Sequence, residues 1–346
     1  MTGGMPLRDV QRLARDAATH GHAGLVITEA GRTAYLSCAA AALAADIDLL
    51  TGIAVAFPRS PMVTAQIAWE LADTTRGRFR LGLGTQVRAH IERRYGSEFD
   101  PPGPRMRDYV LALYDCFAAF RGAAPLEHHG SFYDLSLLPA MWSPGAIAVA
   151  DPPVDLAAVN PWMLRLAGEI AAGVHVHPLN TGAYLREIVR PQLDAGARRS
   201  NRTVDELEVI VPAFIAVGDT PDERARWREL ARMQVSFYGS TPNYAFIFEQ
   251  IGFPGTTAAL RERQKAGDVS GMAEVIGDDI LGHFVTEGTW STIAGAIADR
   301  YGGTATRVVN YFGALAWSQD PDHLARWAPI AAELTQIPRA AARTDT

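Results

Sequence analysis

The chain has 346 residues, of which 48% are hydrophobic and 20% charged, and it carries a net charge of −6. That length buries a large core and fits one α/β barrel or two ordinary domains. The acidic balance, without a dense Lys/Arg run, argues against nucleic acid as a partner. The longest apolar stretch, Leu36 to Ala45, falls far short of the roughly 20 residues a membrane-spanning helix needs. Met1 to Pro6 has neither a basic start nor an apolar run, so no signal peptide is expected. The two cysteines, Cys38 and Cys116, sit in helix-like apolar stretches, which makes a disulfide framework implausible and cytoplasmic residence the default.

In chain order, Leu7 to Thr19 reads as an amphipathic helix and Gly24 to Glu29 as a buried strand with a polar C-terminal end. Tyr35 to Ala45 follows as helix, Ile47 to Val55 as strand, Met62 to Asp73 as helix and Phe79 to Thr85 as strand. Val154 to Val159, Gly173 to His177, Leu207 to Val217 and Arg307 to Phe312 are further apolar runs of strand length, with helical patterns between them. This alternation predicts a parallel α/β protein of TIM (β/α)8-barrel type, in which ligands gather at the carboxyl ends of the strands. The count reaches about seven strands where a closed barrel has eight. The expected first strand is missing, because the segment before Leu7 is short and Gly-rich; some other cover for that edge is therefore expected.

Two segments break the rhythm, residues 90–153 and 238–286. The first combines a basic helix, a helix from Arg105 to Arg121, and hairpin character around His128 to Tyr133; the second is rich in aromatics and Gly. Both are expected as insertions at the C-terminal face, forming lids or dimer contacts, within a single domain over 1–338 followed by a flexible tail at 339–346.

The strand-to-loop passages Thr51 to Pro61 and Gly77 to Val87 carry a resemblance. With Arg88 to Arg94, Leu166 to Glu169, Gly173 to Pro178, Phe237 to Pro242 and Gly267-Asp268, in that order, the chain resembles the bacterial luciferase-like superfamily from about Gly21 to Leu315. Within it, the resemblance is to the actinobacterial coenzyme F420-dependent oxidoreductase branch. It implies a barrel that carries a flavin or deazaflavin at the C-terminal strand ends, and a homodimer. It also implies a bulge with a non-prolyl cis peptide at Ala54-Val55, pressing on the middle ring of the deazaflavin. The small side chains of Ala54 and Ala56 are compatible with a ring lying on the backbone, and equally with an ordinary barrel strand.

Other candidate residues follow from chemistry. Gly82 and Gly84 permit close approach of a planar ligand or a tight turn, and Thr85 and Gln86 offer hydrogen bonds to a pyrimidine-like edge. Ala158 and Asn160 end another strand, where Asn160 contacts a ring or ribityl group or merely forms a turn before Pro161. Thr181 and Gly182 precede a helix near Tyr184, a place for a phosphate. Glu29 ends a strand as a candidate general acid, or as half of an ion pair with Arg59 or Arg80. Tyr35 and His177 are further proton-handling candidates, and of His175 and His177 one is expected to point inward and one outward. His90, Arg93 and Arg94 steer an anionic tail or form a plain charge run. No metal signature is present: His128 and His129 are adjacent and cannot both chelate comfortably from a hairpin, and His175 and His177 lack an obvious third ligand.

The resemblance also has gaps. Family members place an acidic residue, often beside His and followed by Pro-Phe, where this chain has Ala30 to Tyr35, and an Asp where it has Ala172. Three readings result: hydride transfer between coenzyme F420 and an organic small molecule, an FMN-dependent monooxygenase, or a cofactor-free isomerase, cyclase or binding protein in specialised metabolism. All three take a hydrophobic small molecule, for which Trp142, Phe237, Tyr238, Tyr244 and Phe246 are expected to line a pocket.

Overall fold

The computed structural model describes residues 1–336; the tail expected at 339–346 lies outside them. The helix Leu7–Thr19 buries Val10, Leu13, Ala14 and Ala17, a spacing of three and four that gathers one apolar face. Strands β1 (Gly24–Ile27), β2 (Asp48–Thr51), β3 (Ala54–Val55) and β4 (Phe79–Gly84) follow, with helices Ala34–Ala42 and Pro61–Thr74 between them. After helix Pro102–Arg121 comes the antiparallel hairpin β5 (His128–His129) and β6 (Asp134–Leu135). Then come β7 (Val154–Ala158), β8 (Gly173–Val176), β9 (Glu208–Val217), β10 (Val285–Gly288) and β11 (Arg307–Asn310).

The backbone divides into two compact units, residues 1–175 with 193–208, and residues 176–192 with 209 onward. In the first, β1 pairs with β2, β2 and β3 with β4, and β4 with β7, all in parallel. Helices connect these strands, as parallel pairing requires. In the second, β9 is the central strand: β10 pairs with its C-terminal half and β11 with its N-terminal half, again in parallel. Val209 to Val217 is buried throughout, which is why this segment reads as an unbroken apolar run. Phe214, Trp227, Phe248, Phe284 and Phe312 form the aromatic part of the second unit's core.

The structure bears out one expectation about the strands and changes two. The expected first strand is indeed not formed as a full strand among the described residues, while β10, which the sequence count passes over, begins at the end of the second excursion and shares with β11 the pairing to β9. Before the first helix, only Thr2 pairs: its N–H donates to the Val26 carbonyl at 3.0 Å, and its carbonyl accepts the Thr28 N–H at 2.7 Å. A single bridge thus covers that edge of β1. Finally, the continuous strand expected over Ile47 to Val55 is broken. From Leu50 to Ala54 the chain advances four residues while its partner advances three, from Arg80 to Leu83, and the extra residue is a bulge. A cis peptide joins Gly52 and Ile53, so it falls inside the bulge and two residues earlier than the expected Ala54-Val55 position.

The excursions are structured. The first contributes helix Pro102–Arg121, whose Phe117 and Phe120 pack on Trp69 with ring centroids 5.7 and 5.6 Å away. The second is helical and supplies Ile247, Phe248, Leu260, Met272 and Ile280 to the second core. Cys38 and Cys116 are free and buried.

Candidate functional site

At the end of β1, Glu29 is buried and its carboxylate is saturated. It accepts the Val55 N–H at 2.8 Å, Arg59 Nη1–H at 3.0 Å, and a second, shorter bond from Arg59 Nη2–H. Arg59 Nη1 also donates to the Val55 carbonyl at 2.9 Å, so the pair locks the strand-to-helix turn. Of the two roles open to Glu29, the ion pair with Arg59 is the one formed. Arg59 lies 5.0 Å from the ring centroid of Tyr35. The Tyr35 hydroxyl is buried near Thr64 without a hydrogen-bond partner, and burial pushes its phenol far above its usual range. It holds its proton at neutral pH.

Deeper in the first unit, Arg80 makes a two-pronged contact to the fully buried Asp155, Nε to Oδ2 at 2.9 Å and Nη2 to Oδ1 at 2.5 Å. This geometry is the favourable one for guanidinium and carboxylate. His175 Nε2 stands 3.8 Å from Asp155 Oδ2 and makes no hydrogen bond. Burial, and secondly the charge of Arg80, bring its pKa down to about 3. Gly82 makes the room: a Cβ there would come within 2.5 Å of His175 Nε2 and closer still to the Thr51 carbonyl oxygen.

The other strand-end candidates of the first unit are mostly consumed by the fold. Ala54, Val55, Ala56 and Ala158 are buried in the core. Gly84 is buried as well, and a Cβ on it would meet Ile53 Cδ1 at 2.8 Å. Asn160 caps helix Pro161–Ile170, its Oδ1 accepting the Met163 N–H at 2.9 Å. Thr85 and Gln86 are half-buried, with Thr85 Oγ1 donating to the Gln86 carbonyl and Gln86 Oε1 accepting the Val87 N–H. Half-exposed Ile53 is the residue of the bulge with accessible surface. In the basic helix Arg88–Arg93, Arg88 pairs with Asp100 and Glu92, and beyond it Arg94 donates to the Ala30 carbonyl at 2.6 Å. These contacts form an exposed charge network. His128 is no ligand: its Nδ1 faces Asp115 at 2.7 Å and its Nε2 faces Asp108 at 3.2 Å. No cluster of metal-binding side chains exists among the described residues.

The second unit presents a different surface. His177 is half-buried, with its ring edge-on to Tyr238 at 4.7 Å and tilted against Tyr244 at 4.5 Å between centroids. The Leu179 N–H donates to its Nδ1 at 3.0 Å. Since a backbone amide can only donate, Nδ1 carries the lone pair and the single proton sits on Nε2. Burial lowers the pKa of this imidazole to about 3, so it is a neutral donor and not a cationic acid at ordinary pH. The expected division of His175 and His177 between inside and outside is not found. Residues two apart in a strand share a face, and neither ring is exposed.

Three residues on, Asn180 Nδ2 ties the turn to the carbonyls of His177 and Pro212, both at 2.9 Å. Thr181 Oγ1 then accepts the Tyr184 N–H at 3.0 Å as the cap of a helical run that continues through Leu185–Val189 to Ala197. The N–H groups of Gly182 and Ala183 begin that run. Arg186 lies over the same turn: a Cβ on Gly182 would sit 3.0 Å from Arg186 Nη1. First-turn N–H groups and a guanidinium converge there, a donor set suited to a phosphate. Thr181 therefore serves as the cap, and Gly182 leaves the turn open beneath Arg186. Of the residues expected to line an apolar pocket, Tyr238 and Tyr244 flank His177, Phe246 packs on Tyr184 at 5.8 Å, and Phe237 is 59% exposed. Trp142 belongs to the first unit and is 69% exposed on a short 3-10 turn.

With this geometry in hand, residues 1–307 match the model of the luciferase-like monooxygenase family. The chain belongs to that family. An uncharacterized protein of Mycobacterium tuberculosis is 37% identical over 274 residues, 79% of this chain and 80% of its own length. A 5,10-methylenetetrahydromethanopterin reductase of Archaeoglobus fulgidus is 24% identical over 76% of each chain. The solved structure of the coenzyme F420 dependent tetrahydromethanopterin reductase from Methanopyrus kandleri superposes with a TM-score of 0.75 at 20% identity, covering 94% of both chains. The fold is accordingly the α/β barrel of the luciferase-like family.

A phosphorylated flavin-type cofactor is what such a family member is expected to bind, and the fit is uneven across the chain. The residues Thr181 to Arg186 suit its phosphate. In the first unit, accessible polar groups at the strand ends reduce to Thr85 and Gln86, while the Ala54 to Ala56 side chains are core. Sequence reasoning passes over Arg186, although its position four residues after Gly182 on a helix places it on the same face. It also passes over Asp155, whose burial only the packed strands decide.

Proposed function

We propose that this luciferase-like protein is an oxidoreductase that binds coenzyme F420 and passes a hydride between it and an organic small molecule. The observation that carries this reading is the anion cradle at the start of the second unit's long helical run, with Arg186 over Gly182. Support comes from the relatives' names: the Methanopyrus structure is that of a coenzyme F420 dependent reductase, and the Archaeoglobus relative is a reductase of methylenetetrahydromethanopterin. When bound, the deazaflavin supplies the hydride chemistry; the chain's own part is to hold and orient. The N–H groups of Gly182 and Ala183 and the Arg186 guanidinium take the phosphate. Thr181 and Asn180 keep the turn in shape. In this reading Glu29, clamped by Arg59, is a positioning residue for the β3 turn, and Tyr35 remains protonated beside it.

The test is titration of the purified protein with F420 and, separately, FMN, followed by fluorescence and calorimetry. Micromolar binding of F420, weakened about tenfold or more in Arg186→Ala, is the expected result; a charge-assisted bond of this type contributes ~1.5–3 kcal/mol. A preference for FMN supports the second reading, a flavin-dependent monooxygenase, which the same phosphate cradle accommodates and the family's name favours. Binding of neither overturns both in favour of a cofactor-free barrel. In this reading the protein is the homodimer that the resemblance implies, and light scattering on the eluting protein gives its mass directly. No helix among the described residues is long and apolar enough to cross a membrane.

A further inference from the structure

The second unit holds a polar group that the cofactor cradle does not use. His177 donates nothing through Nδ1, which is occupied as an acceptor by the Leu179 N–H at 3.0 Å. Its one proton is on Nε2, and that N–H meets no protein acceptor among the described residues. Its surroundings are aromatic and uncharged: Tyr238 lies at 4.7 Å and Tyr244 at 4.5 Å.

The proton of Tyr238 is already committed. Tyr311 OH donates to Gln234 Oε1 at 3.2 Å, and the Tyr238 and Tyr311 hydroxyls are 2.7 Å apart. With the Tyr311 proton used, Tyr238 must donate to Tyr311. The direction of the chain is therefore Tyr238 to Tyr311 to Gln234. Burial raises all the phenols involved, Tyr244 to about 12 and Tyr238 and Tyr311 in the same direction, so no tyrosinate forms here at neutral pH. What remains at the His177 edge is a neutral N–H donor without a protein acceptor among the described residues, beside the protonated phenol of Tyr244 in an aromatic setting.

We infer that the Nε2–H of His177 is a binding donor for the oxygen of a planar, apolar carbonyl compound, such as an aryl ketone, flanked by Tyr238 and Tyr244. The inference deepens the proposed reductase reading by naming its substrate class, and rests on that reading only for the claim that the carbonyl is the group reduced. A ring that donates at Nε2 and cannot donate at Nδ1 calls for a ligand atom that accepts a hydrogen bond, as a carbonyl oxygen does. An alkylamine is protonated at neutral pH, and its ammonium has no lone pair to accept the Nε2–H. The apolar rings favour a neutral aromatic body over a charged one, because a desolvated charge without a partner is costly. A neutral imidazole that polarises a carbonyl is a known catalytic arrangement, and its effectiveness depends on a lowered imidazole pKa. Here the Leu179 amide enforces that neutral form, since a proton on Nδ1 would face the N–H and break the bond.

Two measurements on the cofactor-free protein test this. In long-range nitrogen–proton NMR of histidine-labelled protein, His177, assigned by the signal lost in His177→Gln, is expected to show a bare Nδ1 and a protonated Nε2, unchanged across the range of about pH 5 to 8 in which an ordinary histidine titrates. A protonated Nδ1, or titration near neutrality, overturns the inference. Acetophenone is the probe for the second measurement, with the Nε2–H signal as reporter. It is expected to shift that signal, to bind His177→Gln with similar affinity because the amide restores an N–H, and to bind His177→Leu about tenfold more weakly, the upper end for one hydrogen bond. The matching aralkylamine, 1-phenylethylamine, protonated at neutral pH, is expected to leave the signal unmoved. Acetophenone binding equally to wild type and His177→Leu, or not binding wild type at all, overturns the substrate class. Failure of F420 to bind, with these results intact, would remove the redox reading and leave the carbonyl site standing.

Discussion

The two units bury polarity in opposite ways. All the buried carboxylates among the described residues, Glu29, Asp108 and Asp155, lie in the first unit. Each is engaged: Glu29 by Arg59 and the Val55 amide, Asp155 by Arg80, Asp108 by His128 and the Phe132 and Tyr133 amides. The second unit's buried polar side chains are neutral, among them Asn180, Thr181, Ser236 and Thr257, and His177 and Arg186 keep donors to spare. A charge removed from water must be paired in full, so a saturated carboxylate at a strand end is evidence of architecture. Uncommitted donors that a ligand can reach, as at half-buried His177 and exposed Arg186, point to a ligand; the equally uncommitted Tyr35 hydroxyl is sealed in the first unit's interior. The residue types that look most catalytic in this sequence are thus the ones the fold has used up.

Asp155→Ala puts the greatest strain on that contrast. It strands Arg80 in the interior and is expected to cost ~3–5 kcal/mol in chemical denaturation; a loss below about 1 kcal/mol would place the pair among contacts of surface strength. Gly82→Ala comes next. The new methyl group meets the Thr51 carbonyl oxygen and His175 Nε2, and overpacking of this kind costs ~1–3 kcal/mol, read from the melting temperature. A Gly82→Ala variant as stable as wild type would mean that His175 has a second place to go.

Acid titration probes both units through their histidines. His175 and His177 are each held near a pKa of about 3 in the folded chain, against about 6.5 unfolded. Below that unfolded value only the unfolded chain takes up these protons. Stability is therefore intact above about pH 6.5 and falls, by ~1.4 kcal/mol per pH unit for each histidine, as pH drops toward 3. In His177→Gln the decline measured by urea denaturation at stepped pH is expected to be shallower by one proton; an unchanged slope would contradict the neutral form. The smallest effect concerns Asn160. Loss of its cap in Asn160→Ala is expected to cost ~1 kcal/mol and to leave F420 affinity where it was. A drop in affinity larger than the drop in stability would restore Asn160 as a cofactor contact.

Local pattern was enough to read much of the fold. Helix Leu7–Thr19 announces itself by apolar spacing, β9 by an unbroken apolar run, and the hairpin at His128 by its turn residues. The strand β10 was illegible because Val285–Gly288 holds one large apolar residue and a charge; only its pairing with Phe214 to Val217 makes it a strand. At the candidate site the legible part was Thr181-Gly182 before a helix, and the ambiguous part was Glu29, whose sequence context allows an acid and an ion pair equally.

Periodicity and short-range turn chemistry are properties of neighbouring residues, so the alternation of strand and helix, the strand ends as the place for chemistry, and the family could all be read along the chain. Which polar groups are spent is a matter of long-range contact. Arg59 reaches Glu29 across 30 positions, Arg80 reaches Asp155 across 75, and the Tyr238 hydroxyl meets that of Tyr311 across 73. Hydrogen-bond capacity is used up between residues far apart in the chain, and what is left over for a ligand appears only when all those partners are in place.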